Sequence, residues 1–147
     1  YAGNAVDRIL ALTAGSPFYT MMVCNRLVDY INRTRSAVVT EADVATVERE
    51  MLSGDRRLTK DKFDNLICAG DGIEDSGIDP EDTLRLCGAI AREGERGWCS
   101  RDSLRGFGRE QLDTLLTDLE RRDVVERKGD AVRLRVGLFR DWLLVHV

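Results

Sequence analysis

A chain of 147 residues that is 43% hydrophobic and 33% charged has the make-up of one medium or two small globular domains, and its composition is not that of a disordered chain. A formal net charge of −4 gives it no overall attraction to nucleic acid or to anionic membranes. No apolar run approaches the roughly 20 residues needed to span a bilayer.

Residues 4–13 read as a short helix with Val6, Ile9, Leu10 and Leu12 on its core face. Gly15 can take positive φ, Ser16 is a natural N-cap and Pro17 suits a first helical turn, so the chain turns sharply between Thr13 and Pro17. The helix from Pro17 to about Thr34 repeats Phe18, Met21, Met22, Leu27, Val28 and Ile31 at helical spacing, a stripe read here as core. Thr40 and Asp43 fit the S/T-x-x-D/E capping arrangement. Val44, Val47, Met51 and Leu52 then line one face of a helix that stops near Ser53-Gly54, closing a three-helix unit over residues 1–54. Residues 55–79 read as a linker with a short helix bearing Phe63, Leu66 and Ile67, ended by Gly70-Asp71-Gly72. The acidic stretch 71–82 lacks the alternating oxygen donors of an EF-hand, because Ile73 and Gly77 interrupt the register, and reads as a solvated loop.

Residues 80–147 form the second main unit. Asp79-Pro80-Glu81-Asp82 opens a helix carrying Leu84, Leu86, Cys87, Ile90 and Ala91. Ser100 caps a short helix through Leu104, broken by Gly106 and Gly108. Arg109 to Arg122 makes a longer helix with Leu112, Leu115, Leu116 and Leu119 facing inward. Val124–Arg127 and Ala131–Val136 read as strands joined by a tight turn at Gly129-Asp130, and Leu138, Phe139, Trp142, Leu143 and Leu144 as a last apolar helix. Trp98 and Phe107 fall in short loops, where each either anchors a partner or fills the corner between small helices.

The chain holds no G-x-x-x-x-G-K-[ST] phosphate loop, and its lone histidine, His146, removes Ser-His and Cys-His catalytic pairs and most zinc sites. Its carboxylates fall on polar faces and read as solvated surface. The fragment is therefore expected to be no enzyme by itself and to bind no metal. Cys24, Cys68, Cys87 and Cys99 form no C-x-x-C pair; Cys24 and Cys87 lie on apolar faces and read as reduced core thiols, which fits the cytoplasm. A start at Tyr1 reads as an excerpt from a longer protein.

The turn Leu12-Thr13-Ala14-Gly15-Ser16-Pro17-Phe18-Tyr19 between two amphipathic helices, with the Thr40–Val44 helix start after it, resembles the helical lid of STAND-type AAA+ ATPases. Leu119–Arg127 followed by Leu138–Leu143 looks like the winged-helix domain that follows that lid in many bacterial STAND ATPases. The fold class implied is mostly α: a helical AAA+ lid followed by a winged helix-turn-helix with a small β-hairpin wing. The resemblance covers nearly the whole chain and implies that Gly15, Ser16 and Pro17 lie against ATP or ADP, with Mg, in the context of a full-length protein. Phe18 stands where many such lids carry an arginine that senses the γ-phosphate, which favours the switch-like STAND branch over processive motors.

Implied partners are the upstream ATPase core of the same chain and a protein partner or a second copy. The alternative is a DNA-binding winged-helix regulator attached to an AAA+ ATPase, as in origin-recognition-like proteins. For that reading the wing offers Arg127, Lys128, Arg133 and Arg135. The helix that would enter a groove offers Arg109, Arg121 and Arg122 against Glu110, Asp113, Asp118, Glu120 and Asp123, so acids outnumber bases where base and phosphate contacts are needed.

Overall fold

The computed structural model describes residues 1–68, 77–94 and 97–147 and is mostly helical, with a small three-stranded antiparallel sheet. The chain divides into two compact units, Tyr1–Leu58 with Val136–Leu138, and Thr59–Arg135 with Phe139–Val147. Among the described residues no helix is long and apolar enough to cross a membrane. The expected stop at Gly70-Asp71-Gly72 and most of the acidic stretch 71–82 lie outside the described residues.

The first unit holds α1 (Gly3–Thr13), α2 (Pro17–Thr34) and α3 (Glu41–Ser53). Its core is made by Ala5, Ile9 and Leu12 of α1, Tyr19, Val23 and Leu27 of α2, and Val44, Val47 and Met51 of α3. Two expected core faces are corrected here. On α1, Val6 and Leu10 are exposed, because each stands one residue past a buried position and so about 100° around the helix. On α2 the buried row is Tyr19, Val23 and Leu27, four apart; Phe18, Met21 and Val28 of the expected stripe are 51%, 65% and 51% exposed. Met22 and Ile31 are half-buried, which leaves Leu27 as the member of that stripe that is fully inside.

The start of α3 is closed by the expected reciprocal cap. Asp43 N–H donates to Thr40 Oγ1 at 3.3 Å, and Thr40 N–H donates to Asp43 Oδ2 at 2.9 Å. Thr40→Ala should cost about 1 kcal/mol in urea unfolding followed by circular dichroism. The Thr40 backbone N–H holds the Asp43 carboxyl below the usual carboxylate range. A lowered folded pKa means that this contribution is present above the unfolded pKa and is lost as pH falls through the folded one. The stability gap between Asp43→Asn and the native chain should therefore be widest near neutrality and shrink below about pH 4; a gap that grows on acidification would reverse the sign.

The second unit begins with a 3₁₀ turn, Lys60–Phe63, running into α4 (Asp64–Ile67), and continues with α5 (Pro80–Glu93). Then come β1 (Trp98–Ser100), α6 (Arg109–Arg121), β2 (Val125–Lys128), β3 (Ala131–Leu134) and α7 (Gly137–His146), which belongs to this unit from Phe139 on. Asp79 caps α5 by accepting from Glu81 N–H at 3.0 Å, with Pro80 in the first turn. Leu112, Leu115, Leu116 and Leu119 of α6 are buried as expected, but Leu144 of α7 is exposed.

Two local expectations change. Trp98 lies in a strand, not a loop, and the sheet has order β1-β3-β2 where a two-stranded hairpin was expected. Ser100 ends that strand and caps only a single 3₁₀ turn, Arg101–Ser103, which stops short of Leu104. The β2–β3 turn itself is as read: Gly129 takes φ +61°, which a two-residue hairpin turn asks for and a side chain would strain. Asp118 corrects the view of the acids as solvated: it is 5% exposed, and Glu48 of the first unit is 6% exposed.

Candidate functional site

The turn after α1 is built by three successive departures from helix. Ala14 takes φ +52° and Gly15 φ +75°, then Ser16 returns to extended backbone ahead of Pro17. Thr13 fixes this shape from below. Fully buried, it donates from Oγ1 to Ile9 O at 2.8 Å and accepts from Gly15 N–H at 3.3 Å, while Ser16 N–H donates to Thr13 O at 2.9 Å. Sequence reading passed over Thr13 because a threonine ending a helix has no spacing signature.

Space above Gly15 is open: a Cβ built there would meet nothing within 4 Å, so only its φ constrains the residue. Pro17 and Phe18 are exposed beside it, and the Phe18 ring meets Tyr19 edge-on at 5.0 Å. The Ser16 side chain makes no cap bond, so it does not occupy the start of α2. From Ile9 to Asn25 the sequence carries no charged residue. An open glycine, an exposed proline and an uncapped helix start leave this stretch of backbone approachable. That stretch offers no charged side chain to an anion or a metal ion. Among the described residues no group of three or more His, Cys, Asp or Glu is placed to hold a metal ion.

The other six candidate residues lie in the second unit and do not form one patch. Trp98, Arg133 and Glu126 face one another in register across the three strands. The Arg133 guanidinium lies over the Trp98 ring at 4.7 Å and donates from Nε and Nη2 to Glu126 Oε2 at 3.0 and 2.8 Å. Two candidate contact residues are thus satisfied by each other and by an acid. Arg127 lies 4.0 Å from Glu120, whereas Lys128 and Arg135 are exposed.

Phe107, half-buried in the loop before α6, is likewise covered by an arginine. Arg85 stands 4.3 Å over its ring, donates to Gly106 O at 3.0 Å and reaches Asp82 at 3.3 Å. Arg85 gave no sequence signal for this covering, since Gly106, whose carbonyl it reaches, lies 21 residues away. Beside Phe107 is a cleft of about 570 Å³ lined by Arg101, Asp102, Arg109, Asp113 and Asp130 among others. Arg101 pairs with Asp113, and its backbone N–H donates to Asp130 O at 2.8 Å. The cleft is large enough for a small molecule, but its charges are of both signs and partly paired.

The cysteines are free. Cys68 is exposed; Cys87 is fully buried, and burial pushes its thiol up to about 12, partly opposed by Arg122. Such a thiol stays protonated and inert near neutrality. Compared with known proteins, the chain matches no protein-family model, no curated protein and no solved structure.

Proposed function

We propose that the chain is a non-catalytic regulatory segment of a STAND-like ATPase: its first unit is the helical lid and its second a winged helix. In this reading the Gly15-Ser16-Pro17 turn closes over the edge of ATP or ADP bound by an ATPase core, with Mg held by that core. The lid's angle then follows the nucleotide state, and the winged helix passes that state to a protein partner in the cytoplasm.

The observation that carries the proposal is the corner between α1 and α2. It combines a left-handed Ala14-Gly15 pair, open space above Gly15, an exposed Pro17 and a helix start that Ser16 leaves uncapped. A left-handed cap and a Pro helix start also occur at ordinary helix-helix corners, so the reading rests on this corner together with the resemblance of residues 12–19 and 40–44 to the lid. Protein contact is favoured over DNA contact for the winged helix, because Arg127 and Arg133 already face Glu120 and Glu126. Loss of either arginine from a phosphate-contacting set weakens the sequence-independent attraction on which DNA binding rests.

The test is nucleotide affinity in the full-length ATPase that carries this segment, measured by calorimetric titration of ADP. Gly15→Val, which strains a positive-φ position, and Pro17→Ala should each raise Kd about tenfold, or about 1.4 kcal/mol. Unchanged affinity in both variants would remove the turn from the nucleotide site.

A further inference from the structure

Val6 and Leu10 of α1 and Met21 and Val28 of α2 are apolar side chains 42%, 53%, 65% and 51% exposed. They share one face of the first unit. Asn4 and Arg8 reach Glu41 and Glu48 of α3, and Arg26 reaches the carbonyl of Arg56 just beyond α3, so these residues mark the α3 side of α1 and α2. Val6, Leu10 and Val28 each stand two residues after one of them, about 200° around the helix, and Met21 is two turns before Val28. The four therefore border the outer seam between α1 and α2, and Phe18, three residues before Met21, extends it at the turn.

We propose that this seam is the contact between two copies of the chain related by a twofold axis. A twofold contact lays a patch on itself, residue i of one copy against residue j of the other and j against i, so a patch bearing charge of one sign repels itself while an uncharged one does not. The stretch Ile9–Asn25, which supplies Leu10, Phe18 and Met21, carries no charge in a chain that is 33% charged and has a net charge of −4. Neutrality there removes the self-repulsion that other surfaces of this acidic chain would bring to a dimer. Composition agrees, since interface centres are enriched in Met and aromatic side chains and depleted of charge.

Area sets the expected strength. At the observed exposures the five side chains present roughly 500 Å² of apolar surface, below the roughly 800 Å² per partner of a standard-size interface, so the dimer is a weak one. Uncharged neighbours such as Ala14 and Asn25 are exposed at its border. The proposal goes beyond the lid reading and does not rest on it, because Gly15 and Pro17 are tested by nucleotide affinity and the seam by association.

Sedimentation velocity of the 147-residue chain, from low micromolar to several hundred micromolar, tests it. A monomer–dimer equilibrium is expected. Met21→Glu and, separately, Leu10→Glu should each raise the dimer Kd at least about tenfold, since each variant places two carboxylates in one interface. Circular dichroism melts check that these exposed positions leave the fold intact, and Met21→Gln, smaller in effect, repeats the test without charge. A chain that stays monomeric throughout, or a dimer whose Kd ignores all three variants, would overturn the proposal.

Discussion

Arg122→Ala should lower the unfolding free energy of the second unit by about 3 kcal/mol, the largest effect expected from any single charge in the protein. Arg122 joins two distant parts of that unit. Its Nε donates to Asp118 Oδ2 at 3.0 Å; Nη2 lies 2.9 Å from the same oxygen as an ion-pair contact, without the alignment of a hydrogen bond. Nη1 donates to Leu66 O and Cys68 O at 3.0 Å and reaches Asn65 O at 3.4 Å.

The alanine variant would strand a buried carboxylate and leave the last carbonyls of α4 without their donor. Arg121, whose Nη2 lies 2.9 Å from Asp118, partly compensates, which places the cost at the lower end for a broken buried pair. Arg122→Lys should rescue little, because one ammonium cannot hold a carboxylate and several carbonyls in a planar fork. The double variant Arg122→Met with Asp118→Leu should recover much of the loss. Urea midpoints for the set decide it; a loss below about 1 kcal/mol for Arg122→Ala would show the pair to be ordinary surface electrostatics.

Phe63→Ala should be comparably severe, at about 4 kcal/mol. The Phe63 ring is fully buried and central to an aromatic cluster, with centroids 5.1 Å from Phe139 and 5.2 Å from Trp142. Truncation removes the ring's burial, two aromatic contacts and the filling of the space between them. Trp142, 5% exposed, gives the readout: its emission should shift to longer wavelength in Phe63→Ala as water reaches it, and much less in Phe63→Leu. Equal stability of the alanine variant and the native chain would mean that burial of the ring contributes nothing to the fold.

What the sequence made legible was local. The Pro17 helix start, the Thr40-Asp43 cap and the Gly129-Asp130 hairpin turn each depend on residues within a few positions of one another, and all three form as read. The existence of the longer helices was equally plain, whereas the short helix expected from Ser100 to Leu104 is only a 3₁₀ turn. The inward face of α2 was not, because Phe18, Met21 and Val28 are as apolar and as periodic as the buried row of Tyr19, Val23 and Leu27. Periodicity reports that an apolar stripe exists, and only tertiary packing chooses between two of them.

Strand β1 was missed for a related reason: three residues long, it has no alternation to display, and its partner lies far along the chain. Asp118 looked solvated because the carbonyls that share its arginine lie more than fifty residues away. For the candidate site, the turn's residue types were readable at Gly15, Ser16 and Pro17. The support from Thr13, and the covering of Trp98 and Phe107 by Arg133 and Arg85, belong to packing and were not.

The sheet order β1-β3-β2 has a kinetic consequence. Strands β2 and β3 meet across a two-residue turn, so their hairpin closes early and at small entropic cost. Trp98 must wait for Arg133, with α6 and the hairpin made in between. Closing that longer loop costs about 2 kcal/mol more in chain entropy than closing the hairpin. Within the sheet the β2–β3 hairpin should therefore close first, and β1, the strand that brings Trp98 under the Arg133 guanidinium, is the strand that joins last and frays first.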